Sequence, residues 1–123
     1  MNPTMELKLR KAGTIYVIDV IGEMDLYNAF RLKDLVKKMI DSGVKSYVLN
    51  LDQVPYMDSS GIGSLLYVHS ELKKRGLPLR IAGVKGSVRK VIELTKLMEY
   101  FPIVQDLATA LQQLKEKAAE RSV

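Results

Sequence analysis

Apolar and polar residues alternate with period two along Met5-Glu6-Leu7-Lys8-Leu9-Arg10, which predicts a half-buried strand. Beyond the turn residues Lys11-Ala12-Gly13, the run from Thr14 to Ile21 is rich in β-branched residues and nearly continuous in hydrophobicity, as a central strand covered on both faces would be. The two strands predict an antiparallel hairpin. From Leu26 the period changes. Leu26, Ala29, Phe30, Leu35, Val36, Met39 and Ile40 recur at three and four, predicting a helix capped by Asp25 or Asn28 and closed by Gly43. A strand from Lys45 to Leu51 follows, then a loop from Asp52 to Met57 containing Pro55. The next helical face carries Ile62, Leu65, Leu66, His69 and Leu72, and Gly76 ends it.

Leu79 to Gly83 reads as a third parallel strand, leading through Gly86 to Ser87 as cap of a short helix, Val88 to Leu94, anchored by Val91, Ile92 and Leu94. Lys96 to Pro102 reads as turn and connection, and Ile103-Val104 as a brief edge strand. Asp106 caps a last helix with Leu107, Leu111, Leu114 and Ala118 on one side, and the charged tail from Lys115 to Val123 is expected to fray. Strands alternating with helices call for parallel pairing and right-handed crossovers, so the expected fold is α/β with the strands in sequential order. One domain is expected over residues 1–123, with its core at about 5–114.

Composition narrows the functional classes. With 123 residues, 47% of them hydrophobic, the chain can bury one core and is too short for two. It has no cysteine, which removes disulfides and thiolate metal sites, and its lone His69 cannot assemble a metal cluster. His69 is read as structural, at the edge of a buried helical face. No apolar run reaches the roughly 18 residues of a membrane span. Met1-Asn2-Pro3-Thr4 lacks a signal-peptide pattern, so a cytoplasmic protein is expected. The charge of +5 raises the question of nucleic acid. The basic residues, however, spread from Lys8 to Arg121, and the clusters Lys37-Lys38 and Lys73-Lys74-Arg75 fall in last helical turns, where cations complement the helix dipole. No aromatic platform interleaves with them, and no nucleic-acid partner is expected.

The candidate chemistry lies at Asp58-Ser59-Ser60-Gly61, between the apolar run Tyr47-Val48-Leu49-Asn50-Leu51 and the amphipathic run that begins at Ile62. A strand-to-helix loop in an open α/β sheet is exposed on a rigid scaffold, and the helix N-terminus offers unpaired N–H groups to an anion. A hydroxyl there could carry a phosphate. The same four residues are also what ordinary capping requires, and on their own both readings stand. An esterase reading fails on its parts: there is no Gly-x-Ser-x-Gly elbow, and the only candidate base, His69, lies two to three turns along the same helix. No Walker-type glycine loop is present, and no cofactor is expected.

Val48-Leu49-Asn50-Leu51, Met57-Asp58-Ser59-Ser60-Gly61-Ile62-Gly63 and the earlier Gly22-Glu23-Met24-Asp25 together resemble the STAS domain of bacterial anti-sigma factor antagonists, over about Met5 to Leu114. The resemblance implies a mixed, mostly parallel sheet in a right-handed βα superhelix with a leading antiparallel strand. It implies that Ser59, the first serine after the Asp, is phosphorylated by a partner anti-sigma factor that is an ATP-using Ser kinase. Asp25, Asp58, Ser60 and Gly61 are the implied partner-binding residues, with Asp25 on the adjacent loop, and a Ser/Thr phosphatase is a further partner that such a switch admits. The other role open to such a domain is an unmodified scaffold subunit of a membrane lipid or anion transporter or of a sensory complex. One residue departs from the pattern: Lys96 follows Thr95 where the family commonly has Gly.

Overall fold

The computed structural model describes residues 5–121; the segment Met1-Asn2-Pro3-Thr4 and the last two residues of the tail lie outside that range. Four strands, β1 (Glu6–Ala12), β2 (Ile15–Ile21), β3 (Tyr47–Gln53) and β4 (Leu79–Ala82), form one sheet in sequential order. β1 is antiparallel to β2, with Glu6 opposite Ile21 and Ala12 opposite Ile15, while β2, β3 and β4 run parallel. Lys11 and Ala12 belong to the strand, so the hairpin turns at Gly13-Thr14, with Gly13 at φ 65. This is the expected α/β architecture. The predicted edge strand at Ile103 is reduced to a single parallel bridge with Ile81.

Helices α1 (Phe30–Asp41), α2 (Ser59–Lys74) and α3 (Gly86–Leu94) pack on one face and α4 (Leu107–Arg121) on the other. Alternation along β2 assigns the faces: Ile18 and Val20 join the larger core with Leu32, Val36, Leu65 and Ile92, whereas Ile15 and Val17 meet Ala110 and Leu114 of α4. β2 is buried on both sides, as its unbroken hydrophobicity predicts. On the α4 face Asp19 is held by the Arg10 guanidinium and by Asn50 Nδ2 at 2.8 Å. Burial opposes its ionisation, and these hydrogen bonds outweigh burial, so its carboxyl lies below the usual range.

Several expected boundaries move. α1 begins at Phe30 because residues 26–29 form turns, which leaves Leu26 and Phe30 exposed at 68% and 54%. Leu94 is exposed, so α3 is anchored by Val88 and Ile92. Ser87 does not cap α3: the cap position is Lys85, whose side chain bonds to Asp52 and not to the helix, and the Ser87 hydroxyl donates to Pro55 O at 2.6 Å. The charged tail is helical to Arg121, continuing the helix that Asp106 starts by accepting from Thr109 N at 2.8 Å. Lys96, in the place where glycine was expected, takes φ 61 and is the one non-glycine among the described residues to do so.

Candidate functional site

The site is built where β2 and β3 run out. Past the strand ends Met24 and Met57 form an isolated parallel bridge, with Met24 N–H donating to Tyr56 O (3.0 Å) and Asp58 N–H to Met24 O (3.1 Å). The bridge sets Asp25 and Asp58, the residues that follow the two methionines, on adjacent loops, as the resemblance implied. Both methionines are buried, so each loop is pinned by an apolar side chain and by main-chain pairing together.

Asp58 is the N-cap of α2, in extended backbone. Its Oδ1 accepts from Ser60 N (2.8 Å) and Gly61 N (3.3 Å), and its Oδ2 accepts from Leu26 N across the loop (3.1 Å). One carboxylate therefore starts the helix and ties the β2–α1 loop to it. The helix starts at Ser59, three residues before the amphipathic run, and two of its N-terminal amides are already spent on Asp58. Asp25 is turned inward on its own loop: Oδ1 accepts from Tyr27 N (2.9 Å), and Asn28 bonds back to Asp25 N and Glu23 O (2.9 Å each). An Asp and an Asn three residues apart form interlocked turns, and this is why the chain delays α1.

Gly61, one of the residues the resemblance assigns to partner binding, is buried. A Cβ there would lie 2.8 Å from Met57 Cβ and 3.2 Å from Met24 Cβ, so Gly61 serves by letting the first turn of α2 lie against the methionine bridge. One turn on, the buried Ser64 hydroxyl donates to Ala29 O at 2.9 Å, a second tie between α2 and the β2–α1 connection that the sequence reading missed. A small polar residue on an otherwise apolar helical face was the available signal.

The serines now differ in kind. Ser87 and Ser64 have their hydroxyls engaged, and Ser60 is half-buried. Ser59 is exposed at the first position of α2, and among the described residues its hydroxyl has no hydrogen-bond partner. Tyr56, which shares a groove with Ser59, and Leu26, whose N–H meets Asp58, are exposed, as are Tyr27 and Phe30 further along the β2–α1 connection. A groove of about 460 Å³ between α2 and α3 is lined by Tyr56, Met57, Ser59, Ile62, Leu66 and Val91 among others. Exposed aromatic and aliphatic side chains grouped beside two carboxylates suit a protein partner better than a small polar substrate. Reading Leu26 and Phe30 as core hid part of this rim.

His69 is ten residues along α2 from Ser59, about 15 Å at the helical rise. Its ring meets Tyr100 edge-on at 4.9 Å and Phe101 at 6.0 Å. Burial, with Lys73 nearby, pushes its pKa down. No helix among the described residues is long and apolar enough to cross a membrane.

Residues 6–110 match the family model of the STAS domain. The anti-sigma-B factor antagonist of Staphylococcus aureus is 31% identical over 84 residues, which is 68% of this chain and 78% of that protein. Among solved structures, an anti-sigma factor antagonist from Mycobacterium paratuberculosis superposes with TM-score 0.83 at 21% identity, covering 94% of this chain and 99% of that one. The Bacillus cell fate determinant SpoIIAA in its phosphorylated form superposes with TM-score 0.63 at 21% identity, covering 96% and 100%.

Proposed function

The chain belongs to the STAS domain family, among the anti-sigma factor antagonists, and on that premise we propose that it is a partner switch controlled at Ser59. Unphosphorylated, it binds a kinase-type anti-sigma factor in the cytoplasm and frees the sigma factor. The kinase then moves the γ-phosphoryl group of ATP to Ser59: the bond to Ser59 Oγ forms as the bond to ADP breaks, and the hydroxyl proton passes to a base on the kinase. The observation that carries this reading is the state of the Ser59 hydroxyl, exposed and unbonded, while Ser64 and Ser87 are tied and Ser60 is half-buried.

The phosphate acts on the partner more than on the fold. It adds about −1.5 to −2 charges at neutral pH, and the dipole of α2 favours that charge. The Ser60 and Gly61 amides stay with Asp58, so the group projects into solvent from an exposed residue, beside Asp25 and Asp58. A partner packed on the apolar rim would have to desolvate three anionic groups at once. Two decades of affinity, about 2.7 kcal/mol, suffice to release it. The chain is not an enzyme in this reading, since the lone His69 is out of reach of Ser59 and the Asp58 carboxylate is spent on main-chain amides, and the chemistry belongs to the kinase.

The test is to incubate wild type, Ser59→Ala and Ser60→Ala with ATP and the anti-sigma kinase from the same genome, and to map phosphate by mass spectrometry. Phosphate on Ser59 in wild type and Ser60→Ala, and none in Ser59→Ala, is expected. Phosphate on Ser60 would overturn the assignment, and its absence from every serine would favour an unmodified scaffold subunit.

A further inference from the structure

We propose that the cleft between the C-terminal half of α2, the start of β4 and α4 is a binding site for a small phosphate-bearing anion. It measures about 230 Å³ and is lined by His69 and Lys73 of α2, Arg80 of β4 and Lys117 of α4, over an apolar floor that includes Leu77 and Pro102. No carboxylate lines it among the described residues. None of the three cations takes part in an ion pair among those residues.

The end of a helix explains only part of this cluster. Lys73 sits in the last turn of α2, where a cation complements the dipole. Arg80 comes from a strand and Lys117 from another helix, and nothing in either element calls for a cation at that spot. Arg80 is also held in place: Nε donates to Gln113 Oε1 at 2.7 Å and Nη1 to Leu79 O at 2.9 Å, which leaves its remaining donors uncommitted. Gln113 and Lys117 are one turn apart on α4, so the contact that fixes Arg80 also fixes the element that brings Lys117. Three like charges from three elements around one concavity repel each other, and a cleft of one sign concentrates counter-ions.

Size selects within the anions. Pockets for drug-sized ligands and cofactors start at about 300 Å³. The smaller cleft therefore suits a phosphoryl group with a short apolar stem rather than a nucleotide. His69 reports on occupancy: burial and Lys73 hold its pKa down, and a dianion among Lys73, Arg80 and Lys117 would raise it. The site is independent of Ser59, which is about 15 Å away along α2.

The chain has one histidine, so its ring protons are an isolated signal in proton NMR. The full chain is titrated with inorganic phosphate and with pyrophosphate, each against sodium chloride at matched ionic strength. A saturable displacement of the His69 signals is expected, with the titration midpoint of the ring moving to higher pH. Lys73→Gln and Lys117→Gln, both changes at side chains without an ion pair among the described residues, should each weaken binding about tenfold, the loss of one charge-assisted hydrogen bond. A displacement that is linear and equal to that with chloride overturns the proposal, as does one that both variants leave unchanged.

Discussion

Helix α2 leaves β3 through Met57-Asp58-Ser59, and helix α3 leaves β4 through Lys85-Gly86-Ser87. In sequence the two junctions look alike, with small polar residues at the handover. In the first, an aspartate takes the cap and the serine after it is left with a free, exposed hydroxyl. In the second no side chain caps the helix, and the serine is spent on Pro55 O, steadying the loop that carries Tyr56 and Met57 to the first junction. The difference separates a modifiable position from a structural one. A serine can receive a phosphate without cost to the fold only where another residue already does its capping.

The comparison breaks hardest at Gly83, which precedes α3. Its φ is 79, and a Cβ would lie 2.5 Å from Asp52 N and 2.8 Å from Asp52 Cα, so Gly83→Ala combines a left-handed backbone with a clash against main chain. A loss of about 2–4 kcal/mol is expected, read as a fall in Tm of about 10 °C.

Next in size is Asp58. Asp58→Ala removes the cap and the tie to Leu26 and should cost about 2 kcal/mol in chemical denaturation. Asp58→Asn sharpens the point: an amide oxygen can still cap α2, but the amide nitrogen cannot accept from Leu26 N. Its stability loss should be the smaller, with faster hydrogen exchange confined to the Leu26 amide region.

At the second junction, Ser87→Ala should cost about 1 kcal/mol by loss of one hydrogen bond, whereas Ser59→Ala should stay within about 0.5 kcal/mol of wild type. Equal losses at the two serines would erase the distinction between the junctions.

The smallest effect is expected where the helices end. α2 is followed by Gly76 at φ 70 and α3 by Lys96 at φ 61. Lys96→Gly should stabilise by about 0.5 kcal/mol, since the cost of a left-handed lysine exceeds the entropy that glycine loses. A lower melting temperature for Lys96→Gly would show that its side chain has a packing role.

Much of this architecture is legible in the sequence because two periods write it: alternation in β1, unbroken apolar runs in β2 and β3, and a three-and-four spacing in the helices. The order of the sheet follows from crossover rules. What was not legible turns on partners distant in sequence. Leu26 and Phe30 fit a helical spacing, yet the Asp25–Asn28 turns and the pull of Asp58 on Leu26 N hold that stretch out of the helix and expose both. Ser87 has the look of a cap until Pro55 O arrives from another loop. The tail looks charged enough to fray, but Leu111 and Leu114 dock α4 on the sheet and the helix runs on. At the site, the four-residue motif located the position, and only the structure separated an exposed Ser59 from a half-buried Ser60.

The most direct measurement is titration calorimetry of wild type and Ser59→Asp against the anti-sigma kinase from the same genome, with melting curves on both proteins. One added charge beside Asp25 and Asp58 should weaken binding at least about a hundredfold, while stability stays within about 1 kcal/mol of wild type. Equal affinities would contradict a switch at Ser59. A weaker affinity accompanied by a Tm several degrees lower would also contradict it, since binding would then have been lost through the fold.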